Sequence, residues 1–419
     1  MSGKHGTVTA FFGRNRTFII MGLMALIIAG TADLFAGVLQ DQIDQEKFLF
    51  AGMMILIYSA IGMRGNIFGA MGSRIGTAMN MGTFEMSFRK GTVLRANVDS
   101  TIVLTLIMSI AMGCTTWIVA TLFFEGTRTI WDFIFISTVG GFIAGILVLI
   151  SNIIITYIGN KRDWDVDSIH APLTAAIGDV VTMPMIFAIT WIVLEMEVSS
   201  DQSELFLEIA SLALIVITIA YTLRVITAKV NKRDFSGEAK RIIEQSLPVL
   251  LMCLVFEIGA GIVIQQQQDS LVTYSVLLIM LPAFLNQGNA LSGTLTSRLS
   301  SMIHLGTLEP TLIPKKPAFE SFWAIYVCAI ITFIYIGLLS YGTSSVISDN
   351  NGLGFVTSMI IIVIGGLLAT TILNFLSYYV AILATRFGLD PDDHCIPITS
   401  SVMDLLGSMT LMLIIHLFI

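Results

Sequence analysis

The chain has 419 residues, 55% of them hydrophobic and only 12% charged, with a mean hydropathy of +0.86. A soluble domain carries about twice that share of charge, so lipid solvates most of this chain. The formal charge of -7 and the lack of any basic block exclude nucleic acid as a partner.

The polar, basic start MSGKHGTVTAFFGRNR gives way at Thr17 to an apolar run that is too long for a signal peptide and lacks its cleavage site. It reads as a first span. Further apolar runs predict spans near 47–81, 94–124, 131–159, 169–196, 203–226, 242–266, 271–303, 319–347, 353–386 and 396–419, eleven in all with 17–39. A spanning backbone must satisfy its own hydrogen bonds and needs about 20 apolar residues per helix. The fold class is therefore an all-α polytopic membrane protein, and the longer runs imply tilt, kinks or extension beyond the bilayer. Lys and Arg gather in alternate loops, among them Arg89 and Arg95, Lys161 and Arg162, Lys232 and Arg233, and Lys315 and Lys316. That bias puts the N-terminus in the cytoplasm and the C-terminus outside a cell membrane. The four cysteines, Cys114, Cys253, Cys328 and Cys395, show no metal or disulfide spacing and read as small apolar helix residues.

An internal repeat organises the chain. Gly65-Asn66, Ser73-Arg74 and Gly82-Thr83 recur as Gly288-Asn289, Ser297-Arg298 and Gly306-Thr307, with one residue inserted after the first pair. Asp165, Asp167, Pro172, Thr174 and Asp179 recur 225 positions later as Asp390, Asp392, Pro397, Thr399 and Asp404, and Asp33 matches Glu257 at 224. The expected domains are a cytoplasmic segment 1–16, a five-helix unit 17–196, a linker 197–240 with one extra span, and a second five-helix unit 241–419. Five spans would invert the second copy. The extra span restores its orientation and predicts two parallel repeats about a pseudo-twofold axis along the membrane normal, one chain acting as its own dimer.

Ionisable side chains inside a bilayer are costly and usually face a bundle interior or a water-filled path. Asp33, Asp179, Glu257 and Asp404 are such residues, and they occupy two equivalent positions in each half. Paired carboxylates suit a hard divalent cation that keeps much of its water, such as magnesium. The competing reading is buried acids bonded to Ser, Thr or Arg for structure alone. Pro172 and Pro397 stand seven residues before Asp179 and Asp404, so each fifth span is expected to begin there. Asp165 and Asp167, and Asp390, Asp392 and Asp393, read either as turn and cap residues or as a cytoplasmic cation vestibule. Asn66 and Asn289 lie mid-span beside glycines that permit close packing or local unwinding, and their amide oxygens could ligate a cation or its water. The 22 methionines are scattered and read as core filler, not a soft-metal path.

The runs SAIGMRGNIFGAMGSRIGTAMNMGT and LPAFLNQGNALSGTLTSRLSSMIHLGT, with APLTAAIGD and DPDDHCIPITSSVMD, resemble the membrane domain of the MgtE magnesium transporters. The duplicated arrangement resembles the solute carriers of family 41. The resemblance covers nearly the whole chain. It implies a cation path along the axis between the halves, lined by second and fifth spans, with hydrated magnesium as transported substrate at Asp179 and Asp404. The family's backbone carbonyls would carry over to Ala175 and Ser400. No cytosolic gating domain is expected ahead of the first span, and Val166 stands where the family proline would be, so MgtE-type gating is not carried over. Sodium enters only through an alternative, a sodium- or proton-coupled exchanger. A magnesium-dependent prenyltransferase-like enzyme is the alternative of another class, suggested by the aspartate-rich segments. An intramembrane aspartyl protease fails because Ala176 stands where its first motif glycine should be. The chain is expected not to be an enzyme.

Overall fold

A computed structural model describes residues 2–43, 48–89, 91–162, 166–199, 202–227, 237–347, 353–387 and 395–419. Among these residues are eleven helices long and apolar enough to cross a membrane. They are α1 (Ser2–Gln42), α2 (Met53–Asn80) and α3 (Val93–Phe123). The next, α4, runs as Ile130–Phe135, a π-helical turn Ile136–Gly140 and Gly141–Arg162. There follow α5 (Val166–Ser199), α6 (Ser203–Ile226), α7 (Glu238–Gln266) and α8 (Ser275–His304). The last three are α9 (Lys316–Ile347), α10 (Phe355–Phe387) and α11 (Ile396–Phe418). Each expected span has its helix.

Local chemistry explains several helix ends. Thr129 and Asp132 form a reciprocal cap at the start of α4, Thr129 N donating to Asp132 Oδ2 at 3.1 Å and Asp132 N to Thr129 Oγ1 at 3.4 Å. Gly82 (φ 68°) and Gly306 (φ 70°) end α2 and α8 in the left-handed region. In both, the following Thr N–H reaches back five residues, to Ala78 O and Met302 O, each at 2.9 Å. The repeated Gly-Thr pair is thus a duplicated helix stop.

Two expectations about the long helices change. Helices α2 and α8 run without interruption through Gly65-Asn66 and Gly288-Asn289, so no unwinding occurs there. The described α5 starts at Val166, six residues before Pro172, whereas Pro397 stands at the second position of α11. Only the second copy uses its proline as a helix start; in the first, the polar segment upstream is already helical.

Burial ranks the helices. In their most apolar windows α2 and α8 are 78% and 72% buried, and α6 only 17%, so the two second spans form the centre and the extra span lies at the periphery. Equivalent helices have equivalent neighbours: α1 packs on α5 and α8, and α7 packs on α11 and α2. The first helix of each half therefore lies against the second helix of the other. Glycines allow these crossings. A Cβ at Gly37 would lie 2.0 Å from Ile279 O, and one at Gly261 2.7 Å from Ile55 Cα. Gly261 lies 224 residues after Gly37, and Ile279 224 after Ile55, so the two crossings are repeat-equivalent, and small residues at such crossings let backbones approach in lipid.

Candidate cation site

The four intramembrane acids converge as two buried pairs. Asp33 of α1 is fully buried and its carboxyl lies within hydrogen-bonding range of Asp179 of α5, which is 4% exposed. Glu257 of α7 and Asp404 of α11 form the equivalent pair, 1% and 5% exposed. Asp404 is also close enough to Asp179 for its charge to be felt there. Two ionised carboxylates at this range repel, so each pair needs a shared proton or a cation.

The second helices bring the polar groups around these pairs. Asn286 Nδ2 of α8 donates to Asp33 Oδ2 at 2.8 Å. Asn289 Nδ2, one turn further on, donates to Asp404 Oδ1 at 2.9 Å. From α2, Asn66 Nδ2 donates to Ser401 Oγ at 2.7 Å and to Glu257 Oε1 at 3.3 Å, and Ser401 Oγ donates to Glu257 Oε1 at 2.7 Å. The Glu257 carboxyl occupies the space that a Cβ on Gly62 would fill, 2.1 Å from Oε2.

Several oxygens remain without a donor. They are Asp33 Oδ1, Asp179 Oδ2, Asp404 Oδ2, Asn289 Oδ1 and Gln287 Oε1, all buried acceptors on helices α1, α5, α8 and α11. The two repeat-equivalent asparagines differ. Asn66 Oδ1 accepts from Ser400 Oγ at 2.6 Å, while Asn289 Oδ1 is open. Ala175 and Ser400 lie inside helices one turn before their acids, where each carbonyl already serves the helix ladder and keeps one lone pair. Asp167 is in the first turn of α5, with its side chain outside the described set. Asp165, Asp390, Asp392 and Asp393 lie outside the described residues.

One buried charge at this site escaped the sequence reading. Arg64 of α2 is 5% exposed, donates through Nη1 to Thr182 Oγ1 and through Nη2 to Gly141 O at 3.2 Å, and lies within electrostatic reach of Asp179. It stands in the motif segment GMRGN, so the signal was an arginine in the middle of an apolar run. Asn286, Gln287 and Ser401 were missed because a lone amide or hydroxyl in a span carries no spacing signature.

The family model of MgtE, a divalent cation transporter, matches this chain twice, over residues 53–189 and 281–414. The chain belongs to the MgtE family. Its two MgtE-like segments run from α2 into α5 and from α8 into α11, which makes the protein a duplicated MgtE-type divalent cation transporter rather than an enzyme. The helix that carries Asp33 precedes the first matched segment, and the helix that carries Glu257 lies between the two. Solute carrier family 41 member 3 of Mus musculus is 20% identical over 421 residues, spanning 95% of this chain and 82% of that protein. Solute carrier family 41 member 2 of Homo sapiens is 22% identical over 434 residues, spanning 94% and 70%. A crystal structure of a eukaryotic MATE transporter covers 97% of this chain at 13% identity with a TM-score of 0.39, a level on which no argument rests.

Proposed function

We propose that this MgtE-family protein carries hydrated magnesium through a central path between its two halves, where Asp179 and Asp404 meet the ion and Asp33 and Glu257 stand behind them. The observation that carries this reading is one buried carboxyl pair per half, with donorless oxygens on both. An all-oxygen set suits a hard cation. A magnesium ion held by one or two carboxylates keeps part of its water. Asn289 Oδ1 and Gln287 Oε1 offer further oxygen to the ion or its shell. We read the halves as parallel, with the N-terminus cytoplasmic and the C-terminus outside, and one chain as sufficient for a path.

The test is magnesium flux into voltage-clamped proteoliposomes of the purified chain without a sodium or proton gradient. Asp404→Asn and Asp179→Asn keep shape but remove charge. A lost charge-assisted contact is worth about 1.5–3 kcal/mol, so flux should fall by a factor of roughly ten or more in each. Wild-type flux and affinity in both variants would show the acids to be structural. Flux that requires an imposed sodium or proton gradient would replace free conduction by coupled exchange.

A further inference from the structure

The two carboxyl pairs occupy equivalent places but not equivalent fields. Beside the first stands Arg64, held by Thr182 Oγ1 on α5 and by the Gly141 carbonyl on α4. Thr182 is three residues beyond Asp179 on the same helix, so the tether holds the guanidinium within electrostatic reach of that carboxyl, with no hydrogen bond between the two. An arginine stays charged under all relevant conditions, and its two bonded nitrogens fix it there. The groups described around the second pair are the Asn66 and Asn289 amides and the Ser401 hydroxyl, none of them charged. At the position equivalent to Arg64, 223 residues on, stands Gln287, whose Nε2 donates to Leu26 O on α1 at 2.8 Å. One pair thus has a resident cation. The other is completed only by a proton or by a cation from solution.

We propose that Arg64 is a tethered counter-cation that neutralises the Asp33–Asp179 pair, so that the transported divalent ion settles on the Glu257–Asp404 pair and the duplicated path holds one ion instead of two. This rests on the carboxyl-lined path proposed above. Asp179 still faces the ion across the path, but with its charge offset by Arg64 it holds the ion less tightly than Asp404 does, and without it the Arg64 charge is left uncompensated beside the ion. Arg64 acts through the charge of the path and touches no ion.

Equilibrium dialysis of the purified full chain against magnesium tests the idea. Wild type should bind one ion and Arg64→Gln two, while Arg64→Lys, which keeps the charge, should stay at one. Adding Asp179→Asn to Arg64→Gln should return the count to one. In the wild-type background Asp404→Asn should weaken binding at least roughly tenfold, and Asp179→Asn by less. An Arg64→Gln chain that binds a single ion with unchanged affinity overturns the proposal. If that variant does not purify folded, equal losses in Asp179→Asn and Asp404→Asn overturn it instead. A wild-type chain that binds no magnesium removes the path reading and this inference together. An ion that Asp404→Asn removes and Arg64→Gln does not double leaves the path standing and dismisses the role of Arg64.

Discussion

Gly62 and Gly65 lie one turn apart in α2 and look alike in sequence, yet their surroundings assign them opposite sensitivities. A Cβ on Gly62 would sit 2.1 Å from Glu257 Oε2 and 2.3 Å from Cδ, against a carboxyl already fixed by Ser401 and Asn66. A Cβ on Gly65 meets nothing within 4 Å. Gly62→Ala should therefore displace the Glu257 carboxyl, cost about 1–3 kcal/mol of stability and cut magnesium flux at least roughly tenfold. Gly65→Ala should melt within about 0.5 kcal/mol of wild type. Thermal unfolding in detergent beside proteoliposome flux checks both, and a Gly62→Ala chain with normal flux would release Glu257 from the site. At this scale the acids were legible because charge inside a span is costly whatever surrounds it. Which amide oxygen stays open, Asn289 but not Asn66, depends on a hydroxyl 334 positions away in Ser400.

Helix crossings hold the next level of information. Asp33 and Glu257 are each followed four residues later by a glycine, Gly37 and Gly261, so acid and close contact share one helix face. The acid-to-glycine spacing repeats openly in the sequence; its purpose appears only once Ile279 and Ile55 are seen across the crossings. Gly37→Ala drives a methyl to 2.0 Å from a backbone oxygen that cannot turn aside, and Gly261→Ala one to 2.7 Å from a Cα. Both substitutions should destabilise by about 1–3 kcal/mol or more, Gly37→Ala the more severely. Gly22 of α1 has nothing within 4 Å, and Gly22→Ala should be neutral or should stabilise by up to about 1 kcal/mol. Detergent melting of the three variants ranks them; equal melting points would mean the α1–α8 and α7–α2 crossings are looser than drawn.

Across the whole molecule, the exchange of first helices ties the halves together. With α1 on α8 and α7 on α2, residues 1–226 expressed alone would leave Gly37 without Ile279 and Asn66 without Glu257. That fragment should purify as aggregate, and co-expression with residues 227–419 should restore a monodisperse complex. A stable, monomeric first half would argue that the crossings add little. For parallel halves, the loops after α2 and α8 belong on one face. Single cysteines at Glu85 and Glu309, in a chain freed of its native cysteines, should label from the same side, and one at Thr127 from the other. Labelling of Glu85 and Glu309 from opposite sides would establish an inverted repeat.

The amino-acid sequence alone determined the solvent of this protein, its eleven spans, the duplication and the four acids, because hydropathy, repetition and the cost of intramembrane charge are properties of the chain that need no partner. The helix stops at Gly82 and Gly306 were legible as a repeated pair, though not as caps, since a left-handed residue is visible only in the backbone. Tertiary structure decided how the acids pair, since Asp33 with Asp179 and Glu257 with Asp404 join residues 146 and 147 positions apart. It also decided that Arg64 faces the first pair and Gln287 turns to α1, a difference in field between two near-identical motifs. Such differences arise where helices distant in sequence set the distance between charges in a medium of low dielectric, and no spacing along one strand of sequence encodes that distance.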